Sequence, residues 1–170
     1  MIPPSGGGGP GSNPGGAIHN HMVIGLDFTK DISALGGIPL YSVIALLFII
    51  TENLEQFYQL ILAIVILYAI AIPVRMFWFR DRPHKEAHGR DFMTRFNANS
   101  LISLHVARSL ILAFVLASFF EYEITLVVLF SAIVLAVSAA RVVMQRHKWE
   151  DIATGLITGL VCSAIALYFI

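Results

Sequence analysis

Five stretches of this chain, at about residues 34–51, 56–79, 101–120, 123–143 and 149–170, are apolar over nearly the length a helix needs to cross a bilayer. That length is ~20 residues, and in hydrocarbon each main-chain N–H and C=O must find its partner within the segment. The pattern predicts an all-α fold, a multi-pass transmembrane helical bundle of about five spanning helices. The first span is the weakest, because Gly36, Gly37 and Pro39 interrupt its start. Ahead of it, residues 18–33 mix Ile18, Met22, Val23 and Leu26 with Asp27, Lys30 and Asp31, a composition suited to an interfacial N-terminal helix lying on the membrane surface.

Residues 1–17 are mostly Gly, Pro, Ser and Asn with almost nothing to bury, so a disordered tail is expected there and one membrane-embedded domain over 18–170. The tail lacks a basic stretch followed by an apolar run, so insertion is expected to begin from an internal helix. With 57% hydrophobic and 13% charged residues the natural solvent of the chain is a bilayer, and a formal net charge of zero gives no sign of a nucleic-acid partner. Cys162, the one cysteine, lies in an apolar run and reads as a small packing residue.

The connections alternate in character. Glu52 and Glu55 sit in one and Glu121 and Glu123 in another, whereas 80–100 and 141–150 are rich in Arg, Lys and His. Because spans alternate in direction, the ends of the second and fourth and the starts of the third and fifth meet on one side of the membrane. That side carries the polar chemistry, and the excess of Lys and Arg there predicts that it faces the cytoplasm.

Three polar clusters lie on this side: RMFWFRDRP at 75–83, ISLH at 102–105 and ARVVMQRHKWED at 140–151. His147 and Asp151 are four apart, which on a helix puts them on one face, where a carboxylate can hold an imidazole N–H and free the other ring nitrogen for attack. The same spacing also fits a buried ion pair with a structural role. Gly155, Gly159 and Ser163 continue that stripe, and His105 is followed by Ser109, Ala113 and Ala117, so both histidines stand above faces of small residues suited to close helix contact. His105 reads either as a general acid or as an interhelical hydrogen-bonder.

Arg75 and Arg82 are seven apart, ~10 Å along a helix, and could reach one phosphate from two levels. An unpaired arginine in the apolar zone costs ~2.5–3.5 kcal/mol on insertion scales, so Arg75 needs a partner or must snorkel to the interface. Arg141 adds a third guanidinium fork, and such forks suit a multiply charged phosphoryl group. No carboxylate cluster fit for magnesium is evident, and His84 with His88 lacks a third ligand at defined spacing. Arg90 and Arg95 with Phe92, Met93 and Phe96 read as a headgroup-level amphipathic piece or a solvated loop, Arg108 as a further phosphate contact or an interfacial residue, and Trp78 and Trp149 as interface anchors.

In order and spacing the three clusters resemble the signatures KxxxxxxRP, PSGH and SRxxxxxHxxxD of the type 2 phosphatidic acid phosphatase superfamily, membrane lipid phosphatases related to vanadium haloperoxidases. Arg75 stands for the lysine, Ile102 and Leu104 for the proline and glycine of the second signature, and Ala140 for the serine of the third. The resemblance implies that His147 attacks phosphorus, His105 protonates the leaving group and Asp151 orients His147, while Arg75, Arg82, Ser103 and Arg141 bind phosphate. It implies no metal and no cofactor. The implied substrates are polyprenyl phosphates or diphosphates, phosphatidic acid and phosphatidylglycerol phosphate, and the replaced signature residues bear on phosphate contacts, with Leu104 expected to crowd a loop where the family has glycine. A phosphotransferase with the same phosphohistidine chemistry and a non-catalytic lipid-phosphate binder are the alternatives.

Overall fold

The computed structural model describes residues 28–78, 99 and 101–170, and these are helical apart from short turns and an isolated bridge residue. The helices are α1 (Phe28–Ala34), α2 (Ile38–Ile50), α3 (Leu54–Phe77), α4 (Leu104–Phe119), α5 (Ile124–Val143) and α6 (Trp149–Phe169). The expected tail at 1–17, most of the expected interfacial segment, and Arg82, His84, His88, Arg90 and Arg95 lie outside the described residues.

Among the described residues three helices, α3, α5 and α6, are long and apolar enough to cross a membrane, and four spans result if α1 and α2, bent by 41°, count as one. The bend falls where Gly36, Gly37 and Pro39 interrupt the apolar run. Pro39 lies in the first turn of α2, where its missing N–H costs no helical bond, and Gly37 is the N-cap. The 101–120 segment yields a helix of only 16 residues, about 24 Å long against ~30 Å of hydrocarbon. Its first residues are drawn off the helix by other partners: the Ser103 N–H donates to the Asp151 carbonyl (3.1 Å), and the Leu101 N–H to Asn99 Oδ1 (2.9 Å).

Against α4 pack α3, α5 and α6. Leu60, Ala63, Leu67 and Ala71 of α3, Ala107, Ile111 and Val115 of α4, and Cys162 and Ala166 of α6 form the buried core. Outward faces are equally apolar, with Val43, Leu46, Val65, Leu129, Leu135 and Ile157 exposed, as befits helices solvated by lipid. Across the bundle the Tyr41 hydroxyl donates to the Leu60 carbonyl (2.8 Å), giving a phenol in an apolar layer its partner.

The small-residue stripe of α6 makes a close approach. A Cβ on Gly155 would lie 2.8 Å from the Ser103 carbonyl oxygen, and one on Gly159 would lie 2.9 Å from that of Ala107. The stripe below His105 does not pair in this way. Ser109, Ala113 and Ala117 instead line two adjoining apolar cavities of about 100 and 110 Å³ that share Ala113 and Phe130. The tight α4 contact belongs to Ser103 and Ala107, a different face from that of His105.

Turns close α2, α4 and α5 in the same way, with Glu52, Glu121 and Gln145 at positive φ and crossed main-chain bonds back to the preceding helix. Glu123 then caps α5, its Oε2 accepting from the Leu126 N–H (2.9 Å), a bond that lowers its carboxyl below the usual carboxylate range.

Candidate active site

The turn after α5 ties two of the expected residues together. Gln145 sits at φ 53°, so the chain reverses, and the Arg141 carbonyl accepts from the N–H groups of Arg146 (3.1 Å) and His147 (3.3 Å). His147 therefore precedes α6; it does not share a helical face with Asp151, as the four-residue spacing suggested. The two meet through the cap of α6 instead. Asp151 Oδ2 accepts from the Lys148 N–H (2.9 Å) and lies 3.8 Å from His147 Nδ1, with both side chains buried. That separation is longer than a direct hydrogen bond. Nδ1 is thus the ring nitrogen that faces the carboxylate.

Asp151 is also joined to the second cluster, since its carbonyl accepts from the Ser103 N–H (3.1 Å). Ser103 is the N-cap of α4, yet its hydroxyl caps nothing and, fully buried, has no hydrogen-bond partner among the described residues. Serine in that place ordinarily spends its oxygen on the N–H groups of the first turn. An unmet buried hydroxyl costs about 1–3 kcal/mol, and this one stands at a helix N-terminus, a place whose N–H groups suit an anion.

Arg75, buried at the end of α3, donates to the Ile102 carbonyl, one residue before Ser103. Arg141, buried at the end of α5, donates through Nη1 to Ser33 Oγ (3.1 Å). His105 lies half-buried in the first turn of α4, its backbone packed against Gly36. Thus His147, Asp151, Ser103 and Arg141 belong to one continuous chain of contacts, with Arg75 adjoining it through Ile102. Arg108 is drawn elsewhere. Its Nε donates to the Gly36 carbonyl and its Nη1 to the Tyr68 hydroxyl (both 2.9 Å), so it braces the α1–α2 bend against α3. Trp78 and Trp149 are mostly exposed, as interface anchors would be.

Three residues that the sequence did not single out complete the frame. Asn99, fully buried, donates to the carbonyls of Arg75 (2.7 Å) and Trp78 and accepts from the Leu101 N–H (2.9 Å). Thr154 donates to the carbonyls of Leu101 and Asp151. Ser33 reaches Arg141 from α1. Thr154 alone carried a signal, standing three residues after Asp151 on the same helix.

The PAP2 superfamily profile matches residues 41–170. That span is most of the chain, so the chain belongs to the PAP2 superfamily. Its fold is similar to the crystal structure of Aquifex aeolicus LpxE, with a TM-score of 0.71 at 19% identity over 85% of this chain and 86% of that one. No curated protein sequence matches at a significant level.

Proposed function

We propose that this PAP2 member is an integral-membrane lipid phosphatase working through a phosphohistidine. Family membership supports the class, and the observation that carries the reading is the buried, unspent Ser103 hydroxyl one main-chain bond from Asp151, which faces His147. His147 Nε2 attacks phosphorus, an N–P bond forms and the P–O bond to the lipid breaks. His105 gives its proton to the departing oxygen. Water, deprotonated by the same imidazole, then attacks the phosphohistidine and releases phosphate. Asp151 stabilises the cation that develops on His147.

Arg75, Arg82, Arg141 and Ser103 hold the phosphoryl oxygens. Guanidinium charge there meets the need that a divalent ion would otherwise fill, which supports a metal-independent reaction. The substrates proposed are polyprenyl phosphates or diphosphates, phosphatidic acid and phosphatidylglycerol phosphate. Their tail lies along Ser109, Ala113 and Ala117 in the apolar cavities on the His105 side of α4. Within a domain spanning 18–170, α4 extended by its irregular first residues completes a fifth span, and the site opens to the cytoplasm. The test is phosphate release by purified protein across this panel, with and without chelator, beside His147→Ala. Release by folded His147→Ala at the wild-type rate sinks the mechanism.

A further inference from the structure

The α1–α2 bend precedes the region matched by the family profile, 41–170, yet the N-terminal segment around it touches two of the site residues as well as the arginine that braces it. Ser33 Oγ accepts from Arg141 Nη1 (3.1 Å), the Gly36 carbonyl accepts from Arg108 Nε (2.9 Å), and Gly36 lies so close to His105 that an added Cβ would be 2.9 Å from its carbonyl carbon. Ser33 is 4% exposed, a hydroxyl set among buried groups and directed at one of the site's guanidiniums. The residue before that arginine, serine in the family signature, is here Ala140, buried and without a hydroxyl. The chain thus lacks a hydroxyl next to Arg141 in sequence and has one next to it in space.

We infer that Ser33 is a phosphoryl-binding and positioning residue supplied by the N-terminal helix, standing in for the hydroxyl that Ala140 does not provide. By accepting from Nη1 it fixes the plane of the Arg141 fork. A hydroxyl that accepts from an arginine keeps its own proton to donate, and a phosphoryl oxygen held by the same guanidinium is the acceptor of matching charge. The inference rests on the phosphoryl site proposed above and adds a residue to it from outside the matched region.

The experiment measures binding of orthovanadate to the full chain in detergent by the rise in unfolding midpoint, with turnover of a short-chain lipid phosphate in parallel. Ser33→Ala and the near-isosteric Ser33→Cys are each expected to weaken vanadate binding about tenfold, the size of one lost charged hydrogen bond, read as the rise above each variant's own vanadate-free midpoint, which itself falls because the buried Arg141 Nη1 loses its Ser33 acceptor. Ser33→Thr is expected to stay within about twofold of wild type, and Ala140→Ser to restore binding in the Ser33→Ala background. Vanadate binding by folded Ser33→Ala or Ser33→Cys as tight as wild type overturns the assignment, and so does a loss that Ala140→Ser leaves unrepaired. Wild-type protein that binds vanadate but releases no phosphate from lipids would refute the phosphatase reading alone, because the Ser33 variants are scored on binding.

Discussion

The main-chain N–H of Ser103 donates to the main-chain carbonyl of Asp151 at 3.1 Å, so the N-terminus of α4 is docked on the first turn of α6 through the backbone, with the Thr154 hydroxyl donating to the Leu101 carbonyl beside it. The Asp151 carboxylate is thereby left to a different task, facing His147 and capping its own helix. The carbonyl and the carboxylate of one residue hold two parts of the site.

Asp151→Asn keeps the carbonyl and removes the charge. The expected outcome is a fall in kcat of about 10²–10⁴ with little change in unfolding midpoint, since the Ser103 bond survives while the imidazolium loses its counter-charge. Steady-state phosphate release beside thermal unfolding checks this, and a kcat within twofold of wild type would make the pair structural.

Gly155 carries the same junction from below. A methyl at that position meets the Ser103 carbonyl oxygen at 2.8 Å, which is main chain and cannot swing aside. Gly155→Ala is expected to cost about 1–3 kcal/mol and to lower turnover in the protein that remains folded, because α6 is pushed off Ser103. An unfolding midpoint and kcat equal to wild type would show that the helices separate freely.

Leu104 shows how far the sequence could be read. The glycine of the family signature suggested a loop that leucine would crowd, but Leu104 begins α4 without positive φ and its side chain is buried. Leu104→Gly is therefore expected to destabilise by ~3 kcal/mol or more, through the lost buried side chain and the poor helix propensity of glycine, and not to speed turnover. Denaturation of the variant in detergent measures it. A more active and equally stable variant would restore the crowding idea.

Legibility followed physical range. Apolar run length and the Gly36, Gly37 and Pro39 break are local signals, and they placed the long helices and the bend. The signature positions named His147, Asp151, Ser103, Arg75 and Arg141. Spacing misjudged how His147 meets Asp151, because the turn through Gln145 is set by crossed main-chain bonds and not by a side chain that marks it in the sequence. Ser33 and Asn99 act across 108 and 24 residues of chain, and no periodicity carries such a contact.

Ala113 sits where the two apolar cavities meet. Ala113→Phe fills that junction. If the substrate tail lies there, kcat/KM for a long-tailed lipid phosphate falls about tenfold or more while a water-soluble short-chain phosphate is hydrolysed as before. Equal effects on both substrates would place the tail elsewhere.

The proposed orientation of the site in the membrane rests on charge. The ends of α3 and α5 and the starts of α4 and α6 meet at the site, and the basic stretches 80–100 and 141–150 connect them, whereas the opposite turns carry Glu52, Glu121 and Glu123, with Glu55 in the first turn of α3. Setting aside Arg75, Arg82 and Arg141, which the proposed chemistry itself requires, Arg80, Lys85, Arg90, Arg95, Arg146 and Lys148 remain in those two connecting sequences. Short basic connections are retained on the cytoplasmic face during insertion, so the proposed orientation has the site inside. Ala87→Cys in a Cys162→Ala background gives a protein whose one cysteine lies in the 80–100 connection. In intact cells that cysteine is expected to escape an impermeant maleimide and to react once the membrane is permeabilised. Efficient labelling before permeabilisation would put the site outside, and the arginines and lysines around it would then have to be explained by the anionic headgroups they meet there.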